Sequence, residues 1–121
     1  MTIDEIVHVV DGEILQGKGM ENLDIKYSFA ADLMSDTLFI VNRDDEPILL
    51  MTGVTNTSVI RTAAILDIPA VLVVRGKKIP QETIDLAEVN EVIMLFTKKI
   101  MFDACGLLYQ AGMRGCPWRI R

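Results

Sequence analysis

The residues best suited to chemistry fall in three short stretches. Thr52-Gly53-Val54-Thr55-Asn56-Thr57-Ser58 concentrates hydroxyls, an amide and a glycine. Arg75-Gly76-Lys77-Lys78 and Thr97-Lys98-Lys99 contribute five of the twelve basic residues. Each stretch follows an apolar run with strand character: Pro47 to Met51, Ala70 to Val74 and Glu91 to Phe96. In a parallel sheet the carboxyl ends of the strands share one rim, and ligands bind in the crevice beyond it. The spacing therefore predicts an anion-receptive rim. Thr52, Gly53, Thr55 and Asn56 would supply hydrogen bonds, and Arg75, Lys98 and Lys99 would supply charge. Lys98 and Lys99 read as the start of the last helix, where the macrodipole prefers acids. Backbone amides at a helix start attract anions, and lysines there strengthen the attraction. The competing reading is a loop of solubilising lysines in which Asn56 or Thr57 caps a helix.

Other chemistry does not assemble. Neither Gly-x-x-x-x-Gly-Lys-Ser/Thr nor Gly-x-Gly-x-x-Gly occurs, so neither nucleotide fingerprint is met. There is no Cys-x-x-Cys, and the one histidine, His8, is far in sequence from Cys105 and Cys116. Asp32 and Asp36 lie one helical turn apart without a nearby histidine. With Ser35 they read as helix-cap or partner-contact residues rather than metal ligands. Cys105, between Ala104 and Gly106, reads as a small buried hydrophobe, and Cys116 as exposed. The expectation is no catalytic residue and no metal site, and no cofactor is indicated.

The elements that must position these residues follow from hydrophobic period. Thr2-Ile3-Asp4-Glu5 has the form of a capping box opening a short helix through Val9. A short strand is expected near Glu13 to Gln16 and another over residues 24–29, where Ile25, Tyr27 and Phe29 alternate with polar residues. From Asp32, residues Leu33, Met34, Thr37, Leu38 and Val41 mark one face of a helix. Asn42 to Glu46 reads as a charged turn. Beyond it, strand and helix alternate three times. Val59, Ile60, Ala63 and Ala64 form one inner face, Pro80 starts the next helix, and a last helix runs from about Lys99 to Gly112. This order predicts an α/β fold: a single three-layer domain with a mostly parallel sheet and flanking helices. The N-terminal part would add a small helix and one or two edge strands.

Composition sets the outer bounds. The 121 residues (13.5 kDa) are half apolar, with a mean hydropathy of +0.33, enough for one well-buried core. A formal net charge of −5 argues against a general nucleic-acid binder. Charge is uneven: residues 1–46 carry eleven acids and three bases, residues 47–121 six acids and nine bases. Such asymmetry steers ligands or pairs subunits, or is simply a solvated surface. No apolar run reaches the roughly 18–20 residues of a membrane span. The start of the chain, with Asp4 and Glu5, lacks the form of a secretory signal. Two cysteines make no disulfide scaffold, so a reduced cytoplasmic location is expected.

Several stretches in order resemble one family. Ala31-Asp32-Leu33-Met34-Ser35-Asp36, Leu49-Leu50-Met51-Thr52-Gly53 with Thr55-Asn56, and Val59-Ile60-Arg61-Thr62-Ala63 are similar to the stand-alone DRTGG-domain proteins. Val73-Val74-Arg75-Gly76-Lys77 and Met101-Phe102-Asp103-Ala104-Cys105-Gly106-Leu107-Leu108-Tyr109 extend the resemblance. Thr52 and Gly53 match the Thr-Gly of the motif that names the family, with Val54 in place of its second Gly. The resemblance covers residues 1–113 and leaves 114–121 as a C-terminal tail. It implies an α/β module like the N-terminal domain of HPr kinase, of a kind also found beside CBS domains in regulated pyrophosphatases. It further implies a regulatory or dimer-forming role, with catalysis done elsewhere. The function expected is a non-catalytic homodimer that senses a small anionic ligand, phosphate- or nucleotide-like. The alternative is a scaffold that docks on a larger metabolic or redox enzyme without a ligand of its own.

Overall fold

The computed structural model describes residues 1–41 and 47–117. The first helix, α1 (Ile3–Val9), opens on a complete capping box. The Thr2 hydroxyl accepts from the Glu5 N–H at 3.2 Å, and the Glu5 carboxylate accepts from the Thr2 N–H at 3.1 Å. Then follow β1 (Glu13–Gln16), β2 (Tyr27–Ala30), α2 (Met34–Ile40), β3 (Ile48–Thr52), α3 (Ser58–Ile65), β4 (Ala70–Val73), α4 (Gln81–Val89), β5 (Ile93–Phe96), α5 (Met101–Gln110) and β6 (Arg114–Gly115).

The six strands form one sheet in the order β1-β5-β4-β3-β2-β6. Among the strands of the described residues, only the β1–β5 pairing is antiparallel. Every residue of β3 and β4 is buried, as near-continuous apolar sequences require of strands covered on both faces. Leu49, Met51, Leu72 and Leu95 point into one core with Ile3, Ile6, Ala104 and Leu108. Leu50, Val71, Val73 and Met94 point into the other with Val59, Ile60, Ala63 and Ala87. Helices α1 and α5 therefore cover one face, and α3 and α4 the other, making three layers. Each fully buried Leu, Ile or Val adds roughly 1.5–3 kcal/mol to folding.

The topology follows from crossover handedness. The chain steps from β3 through β4 to β5 with α3 and α4 on one face. It then returns through α5 to β6, which pairs with β2. A right-handed crossover that reverses direction along the sheet must use the opposite face. Helices α1, α3 and α4 end alike, with Asp11 (φ 51), Asp67 (φ 55) and Glu91 (φ 56) in the left-handed region. The next N–H then reaches back to satisfy a late carbonyl: Gly12 to Val7, Ile68 to Ala63 and Val92 to Ala87.

Several local expectations need revision: Ala64, expected on the inner face of α3, is exposed, and the strand expected over 24–29 runs from Tyr27 to Ala30. Only Thr37 and Val41 of the anticipated inner face of α2 are buried; Leu33 is 60% and Leu38 44% exposed. A seven-residue helix packed on α3 has too narrow a contact to cover all five. Helix α5 starts at Met101, because Ile100 is still extended (φ −70, ψ 161). Pro80 occupies the N-cap position, one residue before the first helical position. Arg114–Gly115, read as the start of a tail, pair with Tyr27 and Ser28 of β2. The charged turn over 42–46 lies outside the described residues.

Candidate functional site

Strand register decides what meets on the carboxyl rim. Ala30 of β2 pairs with Met51 of β3, and Thr52 of β3 with Val73 of β4. Asp32, two residues past β2, therefore emerges beside Gly53, and Arg75 emerges on its other side. Arg75 (φ 70) and Gly76 (φ 65) are both left-handed, a turn that glycine adopts without strain and arginine does not. This turn carries the Arg75 side chain back over Gly53. The guanidinium fills the space a β-carbon at 53 would need, so only glycine accommodates it as it stands.

Asp32 closes the cluster. Its Oδ1 accepts from the Gly53 N–H at 2.7 Å and from the Thr52 hydroxyl at 3.3 Å. Its Oδ2 lies 3.5 Å from Arg75 Nη2, with both side chains about half exposed. The short bond to Gly53 is the charge-assisted kind.

Backbone bonds lock the three turns together. The Val74 N–H donates to Thr52 O, Arg75 N–H to Lys99 O at 2.8 Å, and Gly76 N–H to Thr97 O at 3.0 Å. Thr97, fully buried, anchors the assembly from below. Its hydroxyl donates to Val10 O at 2.7 Å and accepts from the Lys99 N–H at 3.2 Å. Arg75, Lys77, Lys78 and Lys98 are exposed on this rim and Lys99 is half-buried. The turns after β3, β4 and β5 thus converge, with Asp32 joining from β2.

Thr52, Gly53, Thr55 and Asn56 lie in and beside the turn after β3, and many of their polar groups serve the fold. The Thr52 hydroxyl also accepts from the Val54 N–H at 3.0 Å. Thr55 O accepts from the Thr83 hydroxyl at 2.8 Å, tying the loop to α4. Asn56 Oδ1 accepts from both the N–H (3.0 Å) and the hydroxyl of Ser58 at the start of α3. Asn56 thus satisfies the Ser58 N–H from one residue outside the N-cap position, which Thr57 holds without a side-chain cap bond. Lys98 and Lys99 precede α5, whose N-cap is Ile100 and whose first helical residue is Met101.

Asp32, Ser35 and Asp36 are not brought together. Ser35 and Asp36 are exposed on the first turn of α2, while the Asp32 carboxylate is turned towards Gly53 and Arg75. Leu33 takes the N-cap position of α2, and an apolar side chain cannot cap. The Asp32 clamp is the feature sequence reasoning missed. The available signal was its position at the end of a strand flanking the Thr-Gly turn.

A cavity of about 310 Å³ opens between α5 and the β2–β6 edge, lined among others by Phe29, Met51, Cys105, Tyr109 and Cys116. The two thiols are not joined in a disulfide. Cys105 and Cys116 are both partly buried, so Cys116 is less exposed than its sequence context suggests. Cys105 Sγ lies 4.0 Å from Met51 Sδ. Burial pushes the Cys105 thiol above its ordinary pKa, the opposite of what a nucleophile needs. His8 is exposed on α1. Among the described residues, no group of three or more His, Cys, Asp or Glu side chains could hold a metal ion. Nor, among them, is any helix long and apolar enough to cross a membrane.

No protein-family model matches the sequence, and no curated protein matches it. Among solved structures, the fold is similar to the CBS and DRTGG domains of the regulatory region of Clostridium perfringens pyrophosphatase, complexed with its activator diadenosine tetraphosphate. The TM-score is 0.69 at 18% identity, over 91% of this chain and 46% of that one. The chain thus has a small α/β fold, with a mostly parallel six-stranded sheet, of the kind found in a CBS and DRTGG regulatory region. It spans less than half the length of that neighbour.

Proposed function

We propose that this domain is a non-catalytic regulatory module that senses a small phosphate- or nucleotide-like anion. The observation that carries this reading is the convergence of three turns, and five basic residues with them, on one rim of an acidic chain. Backbone amides, hydroxyls and a guanidinium with no assembled acid–base pair are equipment for recognition rather than turnover. The fold likeness to a regulatory region complexed with a nucleotide activator supports it. The relationship would extend to DRTGG modules such as the N-terminal domain of HPr kinase, acting in the cytoplasm.

The module acts as a homodimer through the outer face of α5. Phe102 and Tyr109 are 81% and 62% exposed there, one helical stripe with the open Gly106 between them. That same stripe favours the second reading, a scaffold that docks on a larger metabolic or redox enzyme. Mass in solution separates the two: a dimer that Phe102→Glu dissociates supports the first, a monomer the second.

Ligand sensing is tested by thermal shift with diadenosine tetraphosphate, ATP, AMP and inorganic phosphate. A ligand at 100 times its Kd stabilises by about 2.7 kcal/mol, enough to raise the melting temperature by several degrees. Lys98→Glu with Lys99→Glu should abolish the shift. Failure of every anion to shift the wild-type protein would overturn the reading.

A further inference from the structure

We propose that Asp32 sets the ligand specificity of this rim by acting as an internal competitor, occupying the anion position formed by the Gly53 N–H, the Thr52 hydroxyl and Arg75. A ligand's phosphate then binds there only by displacing the Asp32 carboxylate. The inference rests on the ligand-sensing reading above and names the residue that governs its selectivity.

Carboxylates and phosphates ask for the same partners: a turn N–H, a hydroxyl and a planar guanidinium fork. Asp32 has all three, at 2.7, 3.3 and 3.5 Å. While the carboxylate is present it occupies the Gly53 N–H, the Thr52 hydroxyl and one edge of the guanidinium. Two anions on the same donors would also repel. Asp32 is nonetheless free to leave. It lies between β2 and α2, outside both, and its half-exposed carboxylate reaches water by side-chain rotation alone. When it does, Lys77, Lys78, Lys98 and Lys99 keep the rim positive. A singly charged anion gains little from an exchange of one carboxylate for another. A polyphosphate carries enough charge to engage Arg75 and the neighbouring lysines together, so the device selects polyphosphates over monoanions.

The test is calorimetric titration of ATP into wild type, Asp32→Asn, Asp32→Ala and Asp36→Asn. Asp32→Asn removes the charge but keeps an oxygen for the Gly53 N–H, so it preserves the turn if the alanine variant unfolds. Both Asp32 variants are expected to bind ATP about tenfold more tightly than wild type, which corresponds to about 1.4 kcal/mol. Asp36→Asn, which removes the same charge from the exposed first turn of α2, should change affinity less than twofold. Equal gains from Asp36→Asn would reduce the effect to net charge and overturn the competition. So would wild-type binding that the Asp32 variants leave unchanged or weaken, with ligand sensing itself intact. Absence of ATP binding in all four proteins overturns the competition by Asp32, whereas the ligand-sensing reading falls only if diadenosine tetraphosphate, AMP and inorganic phosphate fail to bind as well.

Discussion

The guanidinium of Arg75 lies over Gly53 and fills the space a side chain would take there. The contact joins a glycine that follows a fully buried strand to an arginine held at positive φ. Asp32 holds the pair through the Gly53 N–H and the guanidinium.

Gly53→Ala is expected to be mild in stability and marked in geometry. The colliding atoms belong to the free end of a flexible side chain, which can swing into water. The loss is then that of a half-exposed ion pair, under about 1 kcal/mol. A crystal structure of the variant should show Arg75 away from Asp32, and Arg75→Gln should add no further cost. A loss of several kcal/mol would mean that the guanidinium is held rigidly in place.

Thr97→Val should cost about 1–3 kcal/mol, since it removes a buried donor to Val10 O and an acceptor for the Lys99 N–H. The shape is nearly conserved, so the effect isolates the hydrogen bonds. It should appear as a lower urea midpoint with an unchanged slope. An unchanged midpoint would show that the turns after β4 and β5 do not depend on this anchor.

Cys105 gives the protein a pH dependence of defined sign. Burial raises the folded-state thiol pKa, so the unfolded chain loses this proton at lower pH than the folded one. The stabilising preference is fully present below the ordinary thiol pKa and is lost as pH rises through the raised value. Stability measured from pH 7 to 10 should fall less steeply in Cys105→Ala than in wild type. Alkylation of Cys105 by iodoacetamide should be slow in the native protein at pH 8 and rise to the rate of an ordinary cysteine in urea. Parallel pH curves for the two proteins would refute the claim.

Much of the molecule was legible in the chain because its signals are local. The Thr2–Glu5 capping box spans three residues, and the apolar run Ala70–Val73 declares a strand covered on both faces. Alternation of such runs with amphipathic stretches implies a parallel sheet, and with it the shared rim of Thr52, Arg75 and Thr97. Helix α2 departs from its periodicity for a physical reason. Leu33 and Leu38 have the right spacing for a buried face, but burial depends on how much neighbouring surface is available, which periodicity does not encode.

The rim's composition was therefore written in the order of residues, while its wiring was not. Asp32 is twenty positions from Thr52 and forty-three from Arg75, and nothing local distinguishes a helix cap from a clamp. Pairing of Ala30 with Met51 and of Thr52 with Val73 brings the three together. That register is set by packing across the whole sheet, so tertiary structure alone decided that an acidic residue would sit among the rim's cations.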